Sequence, residues 1–108
     1  MTRITVYKTT NGDIFGFCAE GHASDLGEGA DIYCAAVSAI TQTACIGLEE
    51  VARVKLQLKM RDGFLKAVIK KDDAKREDCR VIFKTLTLGL KSFDEANPGY
   101  IQINEEVQ

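Results

Sequence analysis

Two turn dipeptides, Asn11-Gly12 and Asp62-Gly63, constrain the fold of this 108-residue chain more than any other feature. Asn-Gly and Asp-Gly are the strongest short-range signals for a β-hairpin, because both central residues of the turn need positive φ. Each dipeptide lies between runs rich in strand-forming residues. The strands are predicted at 2–8, 13–20, 54–60 and 64–70. The sequence therefore predicts two antiparallel hairpins.

Apolar residues at helical spacing follow each hairpin. The first helix is predicted at 32–52 with Asp31 as its N-cap, and the second runs from about Asp73 to about Ala96. Asn97-Pro98-Gly99 ends the second helix, and a short strand is predicted at 100–104. The order ββαββαβ predicts a single α+β domain over 1–108. Its largely antiparallel sheet carries two helices packed on one face.

Composition and charge restrict the compartment and the partners. A net charge of −2 argues against a nucleic-acid binder that relies on a large positive field. The N-terminus lacks a secretory pattern, and no apolar run approaches the roughly eighteen residues of a membrane helix. We therefore expect a cytoplasmic protein with no membrane span. In that reducing compartment the four cysteines are thiols: Cys18, Cys34, Cys45 and Cys79.

Cys34 is the strongest candidate for a nucleophile. With Asp31 as N-cap, it falls in the first helical turn, where free N–H groups and the helix dipole favour a thiolate. The amides of Cys34 and Ala35 are then candidates for an oxyanion hole. The Asp31 carboxylate has a competing effect, because as an ordinary cap it brings negative charge near the thiol.

His22, the single histidine, is the candidate base. It lies in the segment 21–30, which we interpret as a mobile loop. Three glycines give that loop the freedom to close over a peptide: Gly21, Gly27 and Gly29. The sequence leaves open which carboxylate orients the imidazole. Glu20, Asp25 and Asp31 are the candidates, and a dyad without a third residue is the alternative.

Ser38 lies one turn after Cys34 on the same helical face. Its hydroxyl can hydrogen-bond near the thiol or donate back to the Cys34 carbonyl, and we favour the second role. No Cys-x-x-Cys pair suggests a zinc site, and Gly27-Glu28-Gly29 lacks the Lys-Ser or Lys-Thr of a phosphate-binding loop. We expect no metal and no cofactor.

Basic residues cluster around the second hairpin. We interpret them chiefly as the solvated polar face of that hairpin; the alternative is a docking surface for a ribosome or RNA. Two functions other than nucleophilic catalysis also remain open. One is a non-enzymatic ribosome-associated module that uses this basic hairpin. The other is a thiol redox sensor, in which Cys18 or Cys45 would have to lie within disulfide reach of Cys34.

The residues Gly21-His22-Ala23, followed by Gly29-Ala30-Asp31-Ile32-Tyr33-Cys34-Ala35-Ala36-Val37-Ser38-Ala39-Ile40, carry a family resemblance. They resemble the signature of the ribosomal-processing cysteine protease family Prp. The resemblance covers the chain in length and in element order. Tyr33 departs from it, because a smaller aliphatic residue is expected there.

The resemblance implies a Cys/His endopeptidase with His22 and Cys34 as its dyad and Asp31 and Ser38 as supporting positions. It implies a substrate as well: the precursor of bacterial large-subunit ribosomal protein twenty-seven, from which an N-terminal extension is removed after bulky aromatic residues. A homodimer with a mobile histidine loop is also implied. Nucleic acid is not required for this activity, although transient contact with the ribosome is compatible with it.

Overall fold

All seven predicted helices and strands occur in the computed structural model, which describes residues 1–22 and 27–108. They are β1 (Thr2–Lys8), β2 (Ile14–Glu20), α1 (Asp31–Ile46), β3 (Gln57–Arg61), β4 (Phe64–Val68), α2 (Glu77–Ala96) and β5 (Ile101–Val107). The predicted α+β class and the order ββαββαβ are confirmed.

The five strands form one sheet in the order β3-β4-β2-β1-β5. Each neighbouring pair is antiparallel except β1 and β5, which run parallel from Thr2↔Ile101 to Lys8↔Val107. The two predicted hairpins are confirmed as β1–β2 and β3–β4. They join each other through β2 and β4, strands that α1 separates along the chain.

One hydrophobic core lies between the sheet and the two helices. Alternate residues of the strands point into it, and α1 and α2 supply the opposite wall. Its largest fully buried side chains are Phe17, Phe83, Ile4, Leu48, Leu90, Thr41 and Cys79. Both helices pack on this face, and over the described residues the other face of the sheet carries no helix.

The ends of the helices differ from the prediction for local reasons. The first predicted helix, 32–52, is an α-helix to Ile46 and then a π-helical turn at Gly47–Val51. The second is preceded by a 3₁₀ turn at Asp73–Lys75, and Arg76 is extended (φ −66°, ψ 139°). The Arg76 guanidinium donates to the Ala52 carbonyl at 2.7 Å, which joins this break to the end of the first helix.

Two strand boundaries also differ. The alternation from residue 54 predicts a strand three residues too early, because the Val54 amide donates to the Leu48 carbonyl rather than to another strand. Arg53, with φ of 58°, turns the chain there. At the other end, β5 extends three residues beyond the predicted 104. Its polar tail is held at the sheet edge by Lys8, whose ammonium lies 3.0 Å from Glu105.

The stretch Asp31–Val51, 21 residues long, is long and apolar enough to cross a membrane by length and composition alone. The expectation of no membrane span rests on the lack of a continuous apolar run. The core helix of a globular domain also meets this criterion of length and composition. In this fold α1 packs against α2, and Val37, Ala44 and Cys45 of α1 belong to the core.

Candidate active site

Cys34 is the fourth residue of α1, and its side chain is half-buried. The Cys34 amide donates to the Ala30 carbonyl at 3.4 Å, and the Tyr33 amide donates to the same oxygen at 3.0 Å. The Cys34 amide, which the sequence assigns to an oxyanion hole, therefore has a helical acceptor in this structure, and a ligand carbonyl would have to replace Ala30 there. At 3.4 Å, however, this bond is longer than a typical backbone hydrogen bond.

Asp31 is not the N-cap that the sequence predicted. It is the first helical residue, Ala30 occupies the cap position, and no side chain caps the helix. The Asp31 side chain is exposed and does not line the cleft described below. Its carboxylate still lies in the first turn, where it interacts favourably with the helix dipole.

Tyr33 anchors the start of α1 to Tyr100, the residue before β5. Its ring stacks on Tyr100 with centroids 3.7 Å apart, and Phe93 of α2 lies 6.1 Å away. This aromatic group occupies the position where the family resemblance suggested a smaller side chain. Because Tyr33 directly precedes Cys34, the stack fixes the helix end that carries the thiol.

His22 follows the end of β2, and 46% of its side-chain surface is exposed. The Met1 α-amino group donates to the His22 carbonyl at 2.8 Å, and the neighbouring Gly21 amide donates to the Gly63 carbonyl at 2.9 Å. Gly21 has φ of +99°, and a Cβ there would collide with the Met1 carbonyl oxygen. Glycine is therefore required at position 21 for two reasons: the positive φ, and the lack of space for a Cβ.

His22 and Cys34 line the same cleft, with a volume of about 190 Å³. Ala35 and Ser38 of α1 also line it, as do Met60 and Phe64 from the β3–β4 hairpin. The cleft thus lies between the first turns of α1, the end of β2 and the second hairpin. An imidazole and a thiol on one cleft are the groups that nucleophilic catalysis by cysteine needs.

The structure places Asp62, which sequence analysis treated only as a turn residue, beside the histidine. His22 Nε2 lies 3.9 Å from Asp62 Oδ2, at the limit of an ion pair and beyond a hydrogen bond. Of the three carboxylates considered from sequence, Glu20 and Asp31 do not line the cleft, and Asp25 lies outside the described residues. The signal that could have found Asp62 is the pairing of β2 with β4, which brings the second turn to the end of β2.

The predicted back-bond from Ser38 to Cys34 is not among the hydrogen bonds of the described residues. Thr41 makes such bonds instead: its hydroxyl, which is buried, donates to Val37 at 2.9 Å and to Ser38 at 3.2 Å. The Ser38 side chain is exposed and lines the cleft. Of the glycines predicted to give loop mobility, Gly27 and Gly29 also have positive φ, at +124° and +85°.

The other three cysteines are buried, and all four are thiols. Burial raises the pKa of Cys45 and of Cys79 to about 11, and burial likewise raises the pKa of Cys18 above its ordinary value. Since the thiolate is the reactive form, these three are poor nucleophiles at neutral pH. Over residues 1–22 and 27–108, no group of three or more His, Cys, Asp and Glu side chains is arranged to hold a metal ion.

A helix-start thiol and an imidazole on one cleft of an α+β domain are an arrangement that cysteine proteases use. The model of the family described as cysteine protease Prp matches residues 1–102. The chain belongs to this family, and it is a cysteine protease.

Solved structures share the fold over essentially the whole chain. The ribosomal processing protease Prp from Staphylococcus aureus, in complex with a substrate peptide, is 18% identical with a TM-score of 0.87; the match covers 98% of this chain and 100% of that one. The same protease with a covalently linked product peptide is 21% identical, with a TM-score of 0.81 and the same coverage. SMU.848 from Streptococcus mutans is 26% identical with a TM-score of 0.80, covering 100% and 96% of the two chains. No curated protein matches the chain.

Proposed function

We propose that this protease removes the N-terminal extension from the precursor of large-subunit ribosomal protein twenty-seven, with Cys34 as nucleophile and His22 as base. The observation that carries the proposal is the cleft that both side chains line. Two further facts support the substrate class. The Staphylococcus aureus relative is described as a ribosomal processing protease and binds a substrate peptide. The motif around His22 and Cys34 resembles that of the family that cleaves such a precursor.

The reaction is acyl transfer to sulfur. His22 takes the proton of the Cys34 thiol, and the thiolate attacks the scissile carbonyl carbon. The resulting imidazolium then protonates the leaving amine as the C–N bond breaks. Water, deprotonated by His22, hydrolyses the thioester and regenerates the thiol. The complete reaction consumes only peptide and water.

The oxyanion is received, in this proposal, by the Cys34 amide, with the Ala35 amide beside it. The Cys34 amide is a loose donor in the resting helix, because it shares the Ala30 carbonyl with Tyr33 at the longer distance of 3.4 Å. A substrate carbonyl in the cleft would replace Ala30 as its acceptor. Asp31 supports the helix start through its charge in the first turn, Ser38 lines the cleft, and the glycines at 21, 27 and 29 let the histidine segment close and open.

A peptide that spans the precursor extension tests the proposal. We expect the protein to cut it once, after aromatic residues, with the fragments identified by mass spectrometry. Cys34→Ala and His22→Ala should each lower kcat/KM by at least about 10³-fold, since the two groups act as a unit. Cys45→Ala is the matched control, because it removes a thiol that lies in the core and should retain cleavage.

Cleavage by Cys34→Ala at the wild-type rate would overturn the catalytic assignment. Cleavage of unrelated peptides in preference to the precursor would overturn the substrate while leaving the protease intact. Thermal unfolding of each variant shows whether a loss of activity reflects a loss of fold.

We further propose that the protein acts in the cytoplasm as a homodimer and contacts the ribosome transiently. Support for a dimer comes from the family resemblance and from exposed apolar side chains on the first helix and on α2: Ile32, Ile46, Val51, Val81 and Leu88. Sedimentation equilibrium tests the dimer, and a monomer at micromolar concentration would contradict it. Cell fractionation tests the compartment.

A further inference from the structure

Positive charge is concentrated in one segment of the chain. Residues 53–71 contain seven basic residues and one acidic residue, whereas the remainder contains seven basic and fifteen acidic residues. The segment comprises the β3–β4 hairpin and its flanks. A net charge of −2 therefore hides a strongly basic region on an otherwise acidic molecule.

The hairpin directs part of this charge to the open face of the sheet. Leu65 and Ala67 of β4 are buried in the core, so the intervening Lys66 points away from the helices. Lys66 pairs directly with Lys59 of β3, and Arg61 follows two residues later on the same face. Like charges directly opposite each other destabilise a sheet. A bound anion would offset that repulsion.

Aromatic rings lie beneath these cations. The Lys66 ammonium lies 5.3 Å from the Tyr7 ring centroid, and the Arg61 guanidinium lies 4.0 Å from that of Phe64. Lys71, just beyond β4, lies 5.2 Å from the Phe15 ring. These cation–π contacts hold the charges over the sheet. We call Lys59, Arg61, Lys66 and Lys71 the basic face.

The basic face borders a concavity of about 250 Å³ on the open side of the sheet. Lys59, Lys66 and Gln57 line it, and Tyr7, Phe15 and Val68 supply apolar lining. Because Tyr7 and Phe15 are themselves almost fully buried, their rings are not available to stack on bases. The lysine and glutamine donors of this concavity would therefore recognise the charge of a ligand, and they would not distinguish one base from another.

Three of these cations, Lys59, Arg61 and Lys66, have no anionic partner among the described residues, whereas the Lys71 ammonium donates to the main-chain oxygen of Gln108 at 3.1 Å. Among the described residues, no carboxylate lies within ion-pair distance of Lys59, Arg61 or Lys66. Elsewhere, Lys8, Lys75, Arg76 and Arg80 each pair with an Asp or Glu. Acidic residues do lie in the neighbourhood: Asp62 follows Arg61 in the turn, and the charges of Glu20 and Glu106 act on Tyr7.

We propose that the basic face binds the phosphate backbone of RNA. RNA phosphates match the basic face because they are permanently ionised. They also repeat along the RNA strand, as the cations repeat along β3 and β4. The choice of RNA over DNA rests on the proposed function, since a ribosomal substrate is surrounded by RNA. Arg61 also lines the Cys34 cleft, so bound RNA would lie beside the protease site.

Fluorescence anisotropy with a labelled oligouridylate tests the proposal on the intact chain. Binding should weaken with salt, with a slope of log K against log salt of about −2 to −3, as expected when three or four cations contact single-stranded phosphates. Lys59→Gln with Lys66→Gln should lower affinity at least about tenfold and reduce the magnitude of the slope by about 1.4, or about 0.7 for each lysine. Lys84→Gln with Lys91→Gln is the matched control on α2, and it should change affinity less than about twofold.

The same double variant carries a second readout. Because it removes the repulsion between Lys59 and Lys66, its Tm should rise while RNA binding falls. Three results would overturn the proposal: no binding at low salt, equal losses in the two double variants, or equally strong binding of polyglutamate, which would identify a docking surface for acidic protein. Peptide cleavage is measured separately, so failure here leaves the proposed protease function untouched.

Discussion

The His22 imidazole occupies space that a side chain at position 63 would fill. A Cβ on Gly63 would collide with Nε2 of His22 and lie 2.9 Å from its Cε1. Gly63 also has φ of +72°, a conformation that L side chains rarely adopt. The turn residue therefore serves the hairpin and the candidate site together.

Gly63→Ala should consequently lower activity as well as stability. We expect a loss of about 1–2 kcal/mol in the free energy of unfolding, from the strained φ, and at least a tenfold loss in kcat/KM because the imidazole is displaced. Gly12→Ala is the matched control: its φ is +88°, but nothing lies within 4 Å of its added Cβ. It should lose similar stability and keep its activity. Equal losses of activity would show that the contact with His22 is irrelevant.

Asp62 should contribute modestly to the same site. Its carboxylate is fully exposed and lies 3.9 Å from His22 Nε2, so solvent and salt screen it. We expect Asp62→Asn to lower kcat/KM by about two- to fivefold at low salt, and by less at high salt. Asp72→Asn is the control, since it removes an exposed charge that pairs with Lys75 instead. A loss that does not depend on salt would contradict an electrostatic role.

The sequence predicted His22 and Cys34, which the structure places on one cleft, but it did not point to Asp62. The histidine is unique, and the cysteine is marked by its place at a helix start beside a glycine-rich segment. Asp62 comes near His22 only because β4 pairs with β2 across the intervening α1. Such pairing depends on tertiary packing, which local periodicity does not encode.

At the scale of elements, periodicity predicted where helices and strands occur, while tertiary contacts decided where they end. Alternation continues through Val54, yet that residue bonds to the first helix rather than to a strand. Conversely, the tail of β5 is polar and lacks a periodic signal, and it is a strand because β1 offers it a parallel partner. Asp31 resembled an N-cap by residue type, although the helix begins one residue earlier than that role requires.

Two glycines inside regular elements allow the effect of tertiary contacts on stability to be measured. In β2, a Cβ at Gly16 would lie 2.7 Å from the Ala67 carbonyl oxygen, so Gly16→Ala should destabilise the sheet by about 1–3 kcal/mol. In α2, Gly89 has only an Ile40 methyl at 3.8 Å, an ordinary contact. Gly89→Ala should stabilise the protein by about 0.5–1 kcal/mol, because alanine favours the helix. Urea unfolding measures both, and changes of the same sign would contradict this account.

For the whole molecule, the layered architecture followed from the order of elements, but the sheet order did not. The central position of β2, between β1 and β4, places the start of the histidine segment against the second hairpin. The same arrangement leaves one face of the sheet without a helix and the basic hairpin at its edge. The candidate site and the basic face are thus consequences of one strand order.

Burial also makes the four thiols unequal in reactivity, and alkylation of the whole protein measures that difference. At neutral pH we expect iodoacetamide to modify Cys34 in the folded protein, because that side chain is only half-buried and lines the cleft. Cys18, Cys45 and Cys79 are buried, and burial raises the pKa of all three, those of Cys45 and Cys79 to about 11. They should react only as fast as the core opens, and in concentrated urea all four should react. Mass spectrometry of timed samples identifies each site. Modification of Cys45 or Cys79 as fast as Cys34 under native conditions would mean that the core does not protect them, and the distinction on which the nucleophile assignment rests would be lost.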